Sequence, residues 1–213
     1  MQSSQLLFSY TNIIIAITVG ISLWAFNDDR IRDKLILFPF GMDHKDEYHR
    51  VLSSGFIHGD YGHLFFNMYT LYAFGSKMET ICTMLNMRWV FLVIYLSSII
   101  VGSLPAYFKN RHNSSYFALG ASGGVSGILF ATFYYDVWGK VTFIGLGNTD
   151  LGIYGIVFGI IYLAYSYFMA KRGSDNIGHD AHFFGAVYGF IFAFLIDPTH
   201  GQIFINQISN HHF

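Results

Sequence analysis

Charged residues are scarce in this chain, and their scarcity indicates its class. Only 12% of the 213 residues are charged, which is about half of the roughly 25% usual in soluble domains. Aromatic residues reach 19%, and the mean hydropathy is +0.41. A surface of this composition cannot lie mostly in water, so we expect an integral membrane protein. The formal net charge of −1 provides no basic patch, which argues against a nucleic-acid partner.

Cysteine is almost absent as well. Cys82 stands alone, so no internal disulfide can form, and we interpret it as a small apolar residue at a helix end. The chain has no H-E-x-x-H run, which a zinc protease of that type would need. We therefore predict no metal and no cofactor. The N-terminus lacks the basic region of a cleaved signal peptide, so the first apolar stretch is predicted to be retained.

Long apolar stretches are abundant, and they predict an all-α, polytopic membrane protein. A spanning helix needs about 20 mostly apolar residues, because lipid offers no partners for exposed backbone groups. We expect a single domain over 1–213, with a core of about 8–198 and a short C-terminal tail at 199–213. The long first connection, 27–61, holds nearly half of the charged residues, and its segment 31–40 is apolar enough to lie at the membrane interface. Six stretches qualify as spans: 8–26, 62–81, 89–108, 118–137, 151–170 and 181–196.

The second, fourth and sixth stretches carry polar residues, which are costly in a bilayer and mark candidate functional sites. In the second stretch, His63 and Asn67 are four residues apart and share a helix face. An imidazole and a carboxamide on one face can donate hydrogen bonds to a single oxyanion. The alternative is a polar pair that packs helices. His58 lies near the water interface, where a solvated role is at least as consistent as a catalytic one.

The fourth stretch opens with a serine among glycines, Ser122 between Gly120 and Gly123. Such a serine lets a substrate backbone approach its hydroxyl and leaves N–H groups at a helix start for a developing negative charge. The competing interpretation is packing, because Gly123 and Gly127 form a small-xxx-small pair.

The sixth stretch opens with His182, followed by a second small-residue pair, Gly185 and Gly189. This pair would let the sixth helix contact the glycine face of the fourth, which brings His182 towards Ser122. A neutral imidazole within hydrogen-bond reach of a hydroxyl is a nucleophile and its base. Asp175 and Asp180 are nearby and could orient the imidazole, although solvated loop charges are the simpler interpretation.

Together these residues resemble the rhomboid family of intramembrane serine proteases. The resemblance covers about 8–198 and includes the long first loop. It implies a Ser122–His182 dyad, with His63 and Asn67 at the oxyanion and no metal or cofactor. It also implies transmembrane protein substrates cut near their helix ends, membrane lipid as surroundings, and a bacterial cytoplasmic (inner) membrane. The motifs that carry it are 56–58 before the second stretch, 63–68, Gly75 and Glu79 within it, 120–123 in the fourth, and Ala181, His182, Gly185 and Gly189 in the sixth.

The sequence departs from the family at one position and in one property. Many relatives carry an aromatic residue four positions after the serine, where it stacks on the histidine, and here that position is Ser126. Nine of the twelve Lys and Arg residues lie in loops one, three and five, which the positive-inside rule would place in the cytoplasm. Bacterial relatives open their site outward, and we follow the family because the charges of the first loop are interleaved with acids.

Ser126 is also a rival nucleophile, because 120–123 and 124–127 both read G-x-S-G. Four residues correspond to about 6 Å along a helix, so only one serine can match a base at a helix start. We expect Ser122, and we expect the Ser126 hydroxyl to return to a carbonyl one turn back.

Other classes fit the sequence less well. An aspartyl protease needs two intramembrane acids, and the near matches at 135–136 and 145–148 supply only Asp136. An inactive rhomboid-like protein that binds membrane clients would be expected to lack Ser122 or His182. A transporter would need acids within its spans, where they are scarce.

Overall fold

The structure is a computed structural model that describes residues 9–42, 45–141, 152–172 and 178–210. Within these ranges the chain is mainly helical. Two short strands, β1 (Lys140–Val141) and β2 (Ile153–Tyr154), pair antiparallel, with Lys140 opposite Tyr154. The α-helices are α1 (Tyr10–Asn27), α2 (Asp29–Leu35), α3 (Arg50–Ser53), α4 (Tyr61–Thr70), α5 (Ser76–Met84), α6 (Val90–Lys109), α7 (Ser122–Tyr135), α8 (Gly155–Arg172), α9 (His179–Ile196) and α10 (His200–Ser209).

Every predicted apolar stretch contains a helix, which confirms the all-α class. The second stretch is one continuous rod, in which the π-helical turn Leu71–Gly75 joins α4 to α5. Among the described residues, α1, α6 and α9 are long and apolar enough to cross a membrane, and α8 contains the shorter apolar segment Gly155–Lys171. The count of six spans stays a prediction. The sequence pair Thr149-Asp150 is typical of a helix N-cap, but it lies outside the described residues.

The fourth helix is shorter than predicted at its N-terminal end. We expected it over 118–137, but α7 begins at Ser122. Ala118 instead forms a β-bridge to Leu37, and Gly120 has a φ of +120°, which a residue with a side chain rarely adopts. The chain therefore enters α7 through an extended segment and a glycine turn, and this places Ser122 at the first helical position.

Helix α7 is the centre of the protein. Its residues from Gly123 to Tyr134 are all buried, so it is apolar on every face, as expected of a helix surrounded by others. The main core cluster joins it to α6 through Tyr95, Ile99 and Ile128. The predicted tail contains α10, whose Phe204 stacks on Tyr134 at the far end of α7.

The contact between α7 and α9 is made through glycine. A methyl group on Gly185 would lie 2.9 Å from the carbonyl carbon of Gly123, and one on Gly189 would lie 2.5 Å from the Cα of Gly127. Neither distance is possible for a real Cβ, so any larger side chain would force the helices apart. The two small-residue pairs of the sequence therefore face each other, and backbone touches backbone.

The long first connection is folded onto the bundle. The side chain of Arg50 donates to the carbonyls of Asp33 and Ile36, and Ser53 Oγ donates to the carbonyl of Leu35 at 3.0 Å. The β-bridge from Leu37 to Ala118 then attaches this connection to the segment that precedes Ser122. The predicted interfacial segment at 31–40 is thus part of the support of α7.

The buried carboxylate of Glu79 connects α1 to the rod that α4 and α5 form. Glu79 accepts hydrogen bonds from the N–H groups of Tyr10 and Thr11 at 2.8 and 3.0 Å. Arg88 donates to the same carboxylate at 2.7 Å. An anion at the positive N-terminal end of α1 is stabilising, which explains why a carboxylate that is 5% exposed is tolerated here.

The glycine contact predicts a large difference between two substitutions of the same kind. Gly189→Ala should lower the free energy of unfolding by about 1–3 kcal/mol, because its methyl group overpacks the α7 contact. Gly20→Ala in α1 is the matched control, since its methyl group would meet nothing within 4 Å and Ala favours helix by up to about 1 kcal/mol. Thermal melting in detergent measures both, and equal melting points for the two variants would contradict the contact.

Candidate active site

The loop before α7 presents Ser122 with free backbone donors beside it. The N–H of Gly120 donates to the carbonyl of Ser54 at 2.9 Å, and the first bond of the helix runs from the N–H of Val125 to the carbonyl of Ala121 at 3.0 Å. The N–H groups at 122–124 therefore precede the helical ladder. Ser122 is half-buried, so this helix start is partly accessible.

His58 supports the loop before α7. This structural role differs from the solvated role that the sequence analysis considered for it. Its side chain is 1% exposed. Nε2 accepts a hydrogen bond from the N–H of Ala121 at 3.3 Å, so Nδ1 carries the proton and donates to Ser22 Oγ at 3.0 Å. Burial lowers the pKa of His58 to about 3, which keeps the imidazole neutral. His58 thus links α1 to the residue that precedes Ser122.

His63 lies against the same loop. Asp60 caps α4 by accepting from the N–H of His63 at 2.8 Å, as an N-cap acid does. A methyl group on Gly120 would lie 2.8 Å from His63 Nε2, so this ring nitrogen is next to the glycine turn. His58 and His63 meet edge to face, with ring centroids 4.9 Å apart.

Asn67 lies one turn further along α4 and is 8% exposed. Its amide nitrogen donates to the carbonyl of His63 at 2.9 Å. A carboxamide nitrogen has two hydrogens, so a second donor remains outside this bond. His63 and Asn67 therefore share one face of α4. His63 adjoins the turn before Ser122, and Asn67 lies one helical turn further along.

His182 lies in the first turn of α9, three residues after the helix begins at His179. Ala181, its neighbour, contacts both flanking helices: methyl groups on Gly102 and Gly123 would lie 2.9 and 3.6 Å from the Ala181 carbonyl oxygen. The residues beside Ser122 and His182 are therefore in contact across the α7–α9 boundary. This brings the starts of the two helices together.

Two residues near His182 were missed by the sequence analysis. Tyr162 of α8 stacks on the His182 ring, with centroids 5.9 Å apart and planes inclined by 20°. His179 meets the same ring edge to face at 5.7 Å. The order G-H-D-A-H places His179 near His182, but Tyr162 is one of several tyrosines in its helix, and no local pattern distinguishes it.

Two minor expectations are revised. The Ser126 hydroxyl was expected to bond to a carbonyl one turn back, but it lies 2.6 Å from the hydroxyl of Tyr162. Asp180 is directed to Lys109, with Oδ2 and Nζ 4.0 Å apart, which does not favour it as the acid that orients His182. Asp175 lies outside the described residues. Asp136, the near match to an aspartyl protease, pairs with Lys77 at the far end of α7.

Fold and composition together define a helical, multi-pass integral membrane protein. A family model for the Rhomboid domain matches residues 45–198, and the chain belongs to the rhomboid family. The matched range includes His58 and the helices α4, α7, α8 and α9, which carry the candidate site residues.

Two curated relatives support the family. The provisional rhomboid protease YdcA of Bacillus subtilis (strain 168) is 28% identical over 149 residues, which cover 70% of this chain and 67% of YdcA. The rhomboid protease GluP of the same organism is 29% identical over 142 residues, covering 67% of this chain. The match spans 25% of GluP, so most of GluP lies outside it.

The His58 contacts predict that this residue is structural. His58→Ala should cost about 1–3 kcal/mol of stability, because the buried N–H of Ala121 loses its acceptor. His49→Ala is the matched control: His49 also bonds two backbone groups, but it is exposed, and water can replace the ring. Thermal melting in detergent should separate the two variants, and a His58→Ala protein as stable as His49→Ala would contradict the assignment.

Proposed function

We propose that this chain is an intramembrane serine endopeptidase that cleaves transmembrane proteins near the ends of their helices. Ser122 is the nucleophile and His182 is its base. The observation that carries the proposal is the glycine contact between α7 and α9, which brings the first turns of the two helices together. Membership of the rhomboid family and relatives named as rhomboid proteases support the class of reaction.

The reaction begins with proton transfer. His182 takes the proton of the Ser122 hydroxyl as the oxygen attacks the carbonyl carbon of the scissile peptide bond. The C–N bond then breaks, and the imidazolium gives its proton to the leaving amine. A water molecule, deprotonated by the same imidazole, hydrolyses the acyl-enzyme and restores Ser122. These steps need only the serine and the histidine. Asp180, which was considered as a third member, is directed to Lys109 instead.

The tetrahedral intermediate needs donors aimed at its oxyanion. The N–H groups at 122–124 precede the helical ladder of α7, so they supply donors at a positive helix end. His63 adjoins the turn at Gly120, and Asn67 retains a second amide hydrogen beside it. We assign the oxyanion site to these groups together.

The substrate must reach Ser122 from lipid, and water must reach it as well. Ser122 and His182 are only half-buried and lie at the same ends of their helices, where loops one, three and five emerge. We propose that this end faces away from the cytoplasm, in a bacterial cytoplasmic membrane, and that α8 or the adjoining connection moves to admit the substrate.

A serine-reactive fluorophosphonate tests the nucleophile and the base. It should label the purified wild type and Ser126→Ala in detergent, but not Ser122→Ala.

His182→Ala should cleave a generic transmembrane substrate at least ~10³-fold more slowly, because Ser122 is left without its base. The matching control is melting temperature, which should stay close to that of the wild type. Turnover retained in a folded His182→Ala protein would contradict the assignment, as would labelling that moves from Ser122 to Ser126.

The oxyanion donors have a distinct kinetic signature. Asn67→Ala and His63→Ala should each lower kcat by up to ~10²–10³-fold, with little change in KM, because the donors act on the transition state. Thr70→Ala is a control on the same helix, since the Thr70 hydroxyl donates to the carbonyl of Phe66 within that helix. Effects limited to KM or melting temperature would assign His63 and Asn67 to packing instead.

A further inference from the structure

One side chain joins all three helices around the proposed dyad. Tyr162 of α8 stacks on His182 of α9, and its hydroxyl lies 2.6 Å from Ser126 Oγ of α7. Its ring also packs against Phe130 and Phe158 at centroid distances of 5.8 Å each. Tyr162 is partly buried, and the hydroxyl of a tyrosine in such a place usually finds a partner; here the partner is Ser126, which is 2% exposed.

Two features make this contact more than packing. The hydrogen bond to Ser126 fixes Tyr162 at its hydroxyl end, and the ring of the same residue lies against the imidazole of His182. The planes of the two rings are inclined by only 20°. This nearly parallel stack restrains rotation of the imidazole ring about its Cβ–Cγ bond.

We propose that Tyr162 is a positioning residue for His182, held in place by its hydrogen bond to Ser126. The inference rests on the proposed function, since it assigns His182 the role of base. The tyrosine ring fixes the plane of the imidazole, and its negative face stabilises the imidazolium that forms when His182 takes the proton. Misplacement of a reacting group by about 1 Å can cost ~10²-fold in rate, so the restraint is kinetically significant.

Helix α8 also borders an apolar cavity of about 230 Å³, which Gly155, Gly159 and Leu163 line together with residues of α7 and α9. Tyr162 combines a hydrogen bond with a ring stack, so it attaches α8 to the site at a defined point.

The test compares three variants of purified protein in detergent. Tyr162→Leu removes the ring and the hydroxyl, Tyr162→Phe removes only the hydroxyl, and Tyr167→Leu is the control. Tyr167 lies on the same helix but packs against Phe183 and Phe168. The readouts are the rate of fluorophosphonate labelling of Ser122, which does not require a transmembrane substrate, and kcat and KM with a transmembrane substrate.

Tyr162→Leu should slow labelling and lower kcat by roughly 10-fold or more, with KM almost unchanged, because a displaced base affects only the chemical step. Tyr162→Phe keeps the stack and should retain more activity than Tyr162→Leu, and Tyr167→Leu should match the wild type. In a His182→Ala background, Tyr162→Leu should have no further effect, because the tyrosine acts through the histidine.

Labelling of a folded Tyr162→Leu protein at the wild-type rate would overturn the inference. If Tyr162→Leu does not fold, Tyr162→Phe decides, because it keeps the ring volume: a labelling rate equal to that of the wild type at equal melting temperature would remove the role of the Ser126 bond and overturn the proposal as stated. A wild type that is not labelled at all would instead contradict the proposed function, so the two failures are distinguishable.

Discussion

The close contact of α7 and α9 is the constraint on which the rest of this structure depends. Gly185 faces Gly123 and Gly189 faces Gly127, with no room for a Cβ at either position. Without a hydrophobic driving force between helices in lipid, such small-residue contacts let backbones pack closely and stabilise a membrane bundle. The same contact aligns the starts of both helices, so one interaction supports the fold and the proposed dyad.

Much of the fold could be predicted from the sequence because lipid imposes simple rules on it. Apolar length indicated the six stretches that contain the long helices, and glycine spacing indicated that α7 and α9 touch. The start of α7 could not be predicted, since the bridge from Leu37 to Ala118 depends on a segment about 80 residues earlier. The role of His58 was missed for a similar reason: its partners, Ser22 and Ala121, come from two other parts of the chain.

The candidate site shows the same division between local and long-range information. Ser122, His63, Asn67 and His182 stand in local motifs, so the sequence indicated them. Tyr162 has meaning only beside Ser126 and His182, and no spacing in α8 reveals that. Its position on α8 also has a consequence for the proposed access route: if α8 moves to admit substrate, the stack on His182 is lost, and the helix must return before the base is held again.

The central claim is that Ser122 and His182 act as one unit, and a double-mutant cycle tests it most directly. Turnover of a transmembrane substrate by Ser122→Ala, His182→Ala and the double variant is compared with that of the wild type, at equal melting temperature. For a nucleophile and its base the losses do not add, so the double variant should be no slower than the worse single variant. Losses that multiply in the double variant would show two independent residues and contradict the account.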